Sequence, residues 1–242
     1  MLFRSKDTLD NVNLAYDPAT GINLPNTAAN RSKLPWPVMG IVSMIPHNTR
    51  SELRSLQTAF TKRMSNRWQA SLTYTLSWLY TAENQPFSGL EIVPFKVQPD
   101  LGNEWTLGQD DQRHRAVFNG IWAVGHGLQV SGLHYFGAGI RAASNWGGDI
   151  RVLGGGNGRL RPDGTIVPRN SFIQPAQNKT DIRVQQRIPL GNRVSLDGIA
   201  EVFNAFNRNN FTLGTAEGTP ANYNKPVSGQ YRTAQVGFRL TF

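Results

Sequence analysis

Along residues 68–81 apolar and polar side chains alternate in one phase. Trp68, Ala70, Leu72, Tyr74, Leu76, Trp78 and Tyr80 hold one parity; Gln69, Ser71, Thr73, Thr75, Ser77, Leu79 and Thr81 hold the other. Strand side chains point to opposite faces with a period of 2, so the run predicts a β-strand with an apolar face and a face that is small and polar apart from Leu79. At about 3.3 Å per residue it is long enough to cross a bilayer at the usual tilt of ~45°. Trp68 lies at one end and Trp78 and Tyr80 at the other, the two levels at which membrane interfaces favour aromatic rings.

The same period recurs. Leu56, Thr58, Phe60, Lys62 and Met64 alternate with Ser55, Gln57, Ala59, Thr61 and Arg63, and Ser65-Asn66-Arg67 reads as a tight turn. Residues 113–124 set Ala116, Phe118, Trp122 and Val124 against Arg113, Arg115, Val117, Asn119, Ile121 and Ala123. Gly125-His126-Gly127 turns the chain into a strand over 128–136 whose facing the pattern leaves open. In 181–188, Ile182, Val184 and Ile188 oppose Asp181, Arg183, Gln185 and Arg187; Pro189-Leu190-Gly191-Asn192 is a turn. In 194–206, Val194, Leu196, Gly198, Ala200 and Val202 oppose Ser195, Asp197, Ile199, Glu201 and Phe203. The last strand, 231–242, places Val236, Phe238, Leu240 and the terminal Phe242 on one face and Gln235, Gly237, Arg239 and Thr241 on the other.

Short connections (65–67, 125–127, 189–193) alternate with long ones (82–112, 137–180, 207–230) rich in Gly, Asn and Pro. Outer-membrane barrels have short periplasmic turns and longer extracellular loops, whereas soluble domains rarely carry several long loops. The expected fold is all-β, an antiparallel transmembrane β-barrel of about seven to eight strands with long external loops. With a periplasmic C-terminus, residues 7–50 form a further external loop behind a strand stub at the N-terminus. The organisation expected is a truncated stub and loop over 1–50, then the C-terminal portion of a barrel over 51–242. An eight-stranded barrel completed by the stub is the alternative.

Composition supports this picture. Charged residues make up 17% of the 242 residues, below the roughly 25% of soluble domains, and hydrophobic ones 39%, against roughly 45–50% for a set that also counts Gly. No apolar run reaches the ~18 residues of a membrane helix, which leaves barrel strands untouched. No apolar export core follows Met1 to Lys6, so the chain is expected to start inside a longer gene product. There are no cysteines, hence no thiolate metal site. The net charge of +9 comes from scattered Lys and Arg without a recognition-helix pattern, so no nucleic-acid partner is expected.

Gln235, Gly237, Leu240 and Phe242 resemble the C-terminal assembly signal of bacterial outer-membrane barrels. Residues 34–81 and 104–242 resemble the C-terminal barrel of TonB-dependent outer-membrane receptors. The closer match is to large acidobacterial-type receptors with an N-terminal carboxypeptidase-regulatory-like domain. The segments that carry this are 56–63, 71–77, 111–115, 161–170 and, most specifically, Glu201-Val202-Phe203-Asn204-Ala205-Phe206-Asn207-Arg208 followed by Asn210-Phe211. The resemblance implies uptake of an unidentified substrate, with outer-membrane lipid, lipopolysaccharide and the barrel assembly machinery as partners. It implies TonB contact only through parts N-terminal to this chain. A small structural or adhesive barrel and a secreted glycan-binding β-sandwich are the competing functions.

The residues to place are therefore few. Trp68, Leu72, Tyr74, Leu76, Trp78, Tyr80, Phe118, Trp122 and Phe238 are expected on the lipid face and its girdles. Arg113, Arg115, Arg183, Arg187, Asp197 and Glu201 are candidate lumenal charges. Trp105, Trp146 and Tyr223 are candidate ligand contacts in external loops, or else loop self-packing groups. The Gly154–Gly158 run lacks the Lys-Ser/Thr of a nucleotide loop, and the four histidines share no metal-ligand spacing. No cofactor and no enzymatic centre are expected.

Overall fold

The computed structural model describes residues 2–5, 13–20, 22–40, 42, 49–82, 105–148, 150, 152, 159, 161–191 and 193–242. Eight strands follow one another across a single antiparallel sheet: β1 (Leu2–Ser5), β2 (Thr49–Ser65), β3 (Trp68–Thr81), β4 (His114–Gly125), β5 (Leu128–Gly137), β6 (Gln177–Pro189), β7 (Ser195–Phe203) and β8 (Thr233–Thr241). Each pairs with its neighbours in sequence, an up-and-down order. Thr106–Leu107 adds a short rung beside the upper part of β3. Among the described residues β1 and β8 are the two edges and do not pair, so the sheet is open.

Register carries the alternation from strand to strand. Trp68 stands opposite Trp122, and Leu72 opposite Phe118. Val184 stands opposite Ala200, and Ala200 opposite Val236. A slip of one residue would turn every side chain over, so the apolar set enforces this pairing. The strand over 128–136, open on pattern alone, is settled by its partners: Phe136 pairs with Ala116, and Val130 with Trp122, which puts Val130, Gly132, His134 and Phe136 on the apolar face.

The interior is unlike that of a soluble domain. The buried apolar residues among those described are Leu14, Ala15, Ala82 and Val167. The buried polar set is longer and includes Asp111, Arg169, Asn170, Gln174, Asn204 and Asn210. Meanwhile Phe60 is 64% exposed, Val236 78% and Phe238 79%. Large apolar side chains collect on one outward face, and hydrogen-bonded polar groups fill the packed regions.

The turns explain why the strands reverse where they do. Asn66 (φ 50°) and Arg67 (φ 69°) both adopt left-handed backbone between Ser65 and Trp68, the arrangement of a type I′ two-residue hairpin. At the 125–127 turn, Gly127 has φ 80°, and a Cβ there would lie 2.3 Å from the Arg187 carbonyl oxygen. Only glycine lets this turn dock on β6, where the Arg187 N–H donates to the Gly127 carbonyl over 2.9 Å.

Several boundaries differ from the pattern. β2 begins at Thr49 rather than near Ser55, and β6 at Gln177 rather than Asp181. β7 ends at Phe203, because Asn204 takes φ 50° and starts a turn. The long connections also contain short paired strands: Tyr16–Asp17 with Ile22–Asn23, Arg141–Ala142 with Phe172–Ile173, and Asn210–Leu213 with Pro226–Gln230. Most of the 82–112 connection and the Gly154–Gly158 run lie outside the described residues.

Candidate functional site

The sheet presents two chemically distinct faces and a cap of loops at one end. On the apolar face, Trp68, Leu72, Tyr74, Leu76, Trp78, Tyr80, Phe118, Trp122 and Phe238 fall on one side by register. Trp68 and Trp122 pair at the short-turn end. The Lys62 ammonium sits 3.8 Å from the centre of the Trp68 ring and donates to the carbonyl oxygens of Ser65 and Trp68 at 3.0 Å each. That end of the face therefore closes with a cation over an aromatic ring. Small residues Ala70, Gly120 and Gly132 lie in one cross-strand row, and Phe118, Trp122, Val130 and Ile182 rise around it to form a shallow apolar groove of about 500 Å³. Two hydrogen-bonded polar pairs interrupt this face: Tyr74 Oη with His114 Nδ1 at 2.8 Å, and His134 Nδ1 with Thr180 Oγ1 at 2.9 Å.

The polar face carries an ordered charge row. Arg183 Nη1 donates to Glu201 Oε1 at 3.3 Å, and Arg183 Nη2 to Gln185 Oε1 at 3.0 Å. Gln235 donates to the other oxygen of Glu201. Lys179 and Asp181 pair at 3.1 Å. Of these groups Asp181, Arg183 and Glu201, with Asn119 and Ser131, line a concavity of about 240 Å³. Lower on the face, Arg187 donates to Ser195 Oγ at 3.1 Å rather than to Asp197, its register neighbour. Asp197 is 7% exposed, and its Oδ1 has no hydrogen-bond partner among the described residues. Arg115 points its guanidinium toward the Tyr135 ring at 5.8 Å. Arg113 departs from this row. It lies just before β4, its guanidinium is 4.7 Å from the Trp78 ring centre, and it pairs with Asp111 at 3.7 Å, so it is turned toward the apolar face at the loop end.

Of the three loop aromatics Trp105 and Trp146 are half-buried, and Tyr223 is exposed. Trp105 stacks on Tyr80 with centroids 5.9 Å apart and carries the Arg50 guanidinium at 4.0 Å. A Cβ on Gly218 would lie 2.6 Å from the Trp146 ring, so Trp146 rests on the 214–224 turn. Tyr223 meets Phe172 edge-on at 5.9 Å.

What pattern reading misses is the set of clamps that joins the loops into a cap. Gln174 donates to the Leu213 carbonyl at 2.9 Å and accepts from the Leu213 N–H at 2.8 Å. Asn210 does the same to the backbone of Asn178, at 3.0 and 2.8 Å. Arg161 grips Glu217 with two bonds of 2.7 and 3.0 Å, a bidentate geometry that holds the guanidinium above its usual pKa. Arg169 donates to the Thr81 carbonyl at 2.6 Å. Each partner is 32 to 88 residues away in the chain, so no local signal reveals it. Asn204 has a local signal, because asparagine tolerates left-handed backbone. It is 1% exposed, accepts from the Arg208 N–H at 3.0 Å, and donates to the carbonyls of Arg208 at 2.9 Å and Gln230 at 3.1 Å.

An outward apolar face, an inward charge row and loops gathered at one end are the anatomy of an outer-membrane barrel wall. The outer membrane beta barrel domain family matches residues 4–147, more than half of the chain. This chain belongs to that family. Its place is the outer membrane. The match takes in β1 to β5, and β6 to β8 continue the same sheet in the same register. No curated protein matches the chain.

Proposed function

We propose that this barrel segment is the C-terminal wall of a TonB-dependent receptor that takes up a substrate across the outer membrane. The observation that carries the reading is the open sheet: among the described residues β1 and β8 are edges that do not pair with each other. In lipid each unpaired backbone group costs several kcal/mol, on the order of a hydrogen bond or more. A larger barrel would pair both edges. The resemblance of 201–208 and 210–211 to a receptor's penultimate strand points the same way.

On this reading the apolar face meets lipid, the row of Arg183, Glu201 and Asp181 faces the lumen, and the clamped cap over 138–176 and 204–232 forms part of the external surface that a substrate meets. TonB acts through parts of the receptor other than this chain, and no chemistry is catalysed.

The test is an immunoblot of native outer membranes with an antibody to residues 137–180. A band much larger than 26.8 kDa supports the receptor. A band at that mass that shifts on boiling in detergent overturns it in favour of a small complete barrel with a structural or adhesive role.

A further inference from the structure

The described part of the connection between β1 and β2 folds around one asparagine. Asn13 is 2% exposed. Its side-chain oxygen accepts from the Trp36 N–H at 3.0 Å, and its amide nitrogen lies 2.9, 3.1 and 2.8 Å from the carbonyl oxygens of Trp36, Met39 and Gly40. Residues 36–40 are thereby wrapped onto Asn13, and Pro35 and Pro37 restrict the backbone on either side of Trp36. A 3-10 helix follows Thr27 over Ala28–Lys33. Asn30 braces its start by donating to the Pro25 carbonyl at 2.9 Å. The two segments enclose a concavity of about 350 Å³, lined in part by Asn13, Asn26, Thr27, Arg31, Leu34 and Met39. That size falls within the ~300–1,000 Å³ of small-molecule sites.

The polar groups of this lining are largely unspent. Arg31 Nε donates to the Pro37 carbonyl at 3.1 Å, which holds the guanidinium in place. Its two terminal nitrogens have no partner among the described residues, so the fork that matches a carboxylate is open. The Asn26 amide also has no partner among the described residues. The Thr27 hydroxyl accepts from Asn30 at 3.4 Å and keeps its own proton to donate. Among the described residues no carboxylate lines the concavity. Asp17, the acidic residue of segment 13–40, is paired with Lys33 at 3.4 Å. Leu34 and Met39 add an apolar flank.

We propose that this concavity binds a sugar acid, with Arg31 on the carboxylate, Asn26 and Thr27 on ring hydroxyls, and Leu34 and Met39 against the C–H face of the ring. An arginine fork takes a carboxylate in two parallel charge-assisted bonds. A neutral sugar leaves that fork unused, and a fatty acid leaves Asn26 and Thr27 unused; a sugar acid uses all three. The grip of Asn13 on residues 36–40 sets the Met39 wall before any ligand arrives, which lowers the ordering cost of binding. The inference deepens the receptor reading and rests on it for the role of the solute, a substrate met among the external loops.

The test is calorimetric titration of the protein, extracted from its outer membrane in mild detergent, with D-glucuronate, D-glucose and hexanoate. Glucuronate should bind at least about tenfold more tightly than either of the others, the margin expected of a charge-assisted bidentate contact. Arg31→Gln should erase the preference over glucose. Asn26→Ala changes an exposed side chain with no hydrogen bond among the described residues, so it keeps the fold, and it should weaken glucuronate severalfold. Lys33→Gln removes the same charge two residues away, outside the lining, and should leave the preference unchanged. Equal binding of glucuronate and glucose, hexanoate binding as tight as glucuronate, an unaltered preference in Arg31→Gln, or an equal loss in Lys33→Gln would overturn the assignment. The immunoblot reads the receptor separately. A protein of 26.8 kDa that binds glucuronate in this way keeps the site and loses the receptor; a larger one that does not keeps the receptor and loses the site.

Discussion

Asn204 shows how much one side chain can organise. Its amide satisfies three backbone groups while its own backbone takes a conformation that costs most residues about 1 kcal/mol. Its N–H donates to Asp181 Oδ1 at 2.9 Å, which ties the top of β7 to β6. Asn204→Ala leaves buried backbone groups unpaired and should cost about 2 kcal/mol or more, read as a lower urea midpoint in detergent. An unchanged midpoint would remove Asn204 from this role. Arg67 makes the opposite case. It holds φ 69° and donates only a long bond of 3.5 Å to Val124, so Arg67→Gly should stabilise the hairpin by up to about 1 kcal/mol. Both positions are half-legible in the sequence. An asparagine announces a turn, but the residues that its side chain grips, 26 positions away at Gln230, do not announce themselves.

At the scale of elements, the long strands are legible because their two faces meet different surroundings, and period-2 alternation records that difference directly. β3 and β8 run very nearly where the alternation places them. The short strands in the loops escape because two to five residues of mixed polarity carry no period, and their pairing partners are fixed by clamps distant in sequence. In the loops Trp105 stacks on Tyr80, Trp146 rests on the 214–224 turn, and Tyr223 meets Phe172 edge-on. Glu217→Gln should therefore loosen the joint between the 161–167 and 214–224 segments. It weakens a partly buried bidentate pair worth about 1–2 kcal/mol, and faster amide exchange in both segments should report it. The Asp163 turn adds a pH dependence. The Thr165 hydroxyl and N–H hold the Asp163 carboxyl below its ordinary pKa. A lowered folded-state pKa means that the turn gains from ionised Asp163 above the usual carboxylate range and loses that gain as pH falls through the lowered value. The Thr165 amide resonance should shift over that acidic window in wild type and stay still in Asp163→Asn.

For the whole molecule, the decisive fact is where apolar surface goes. The described residues bury four apolar side chains and leave Phe60, Leu240, Val236 and Phe238 outward. In water that distribution would be unstable; in a bilayer it is the favourable one, since lipid replaces the core. Phe242, 94% exposed at the foot of the same face, should matter for membrane assembly, and Phe242→Asp should lower the amount of heat-modifiable barrel in outer membranes. Undiminished assembly would detach the terminal motif from that process. The low charge and the alternation of short and long connections already pointed to a barrel, whereas the open edges and the clamped cap emerge only when distant residues are brought together.

The measurement closest to the central claim is a single-cysteine scan of residues 69–77, straightforward in a chain with no cysteine of its own. Each variant is incorporated into bilayers and treated with a water-soluble thiol reagent and with a lipid-dissolved one. Cysteines at 70, 72, 74 and 76 should react with the lipid-dissolved reagent, and those at 69, 71, 73, 75 and 77 should not, a strict period of two through β3. Uniform labelling by the aqueous reagent, or a pattern without that period, would contradict a membrane-spanning wall with its apolar face in lipid.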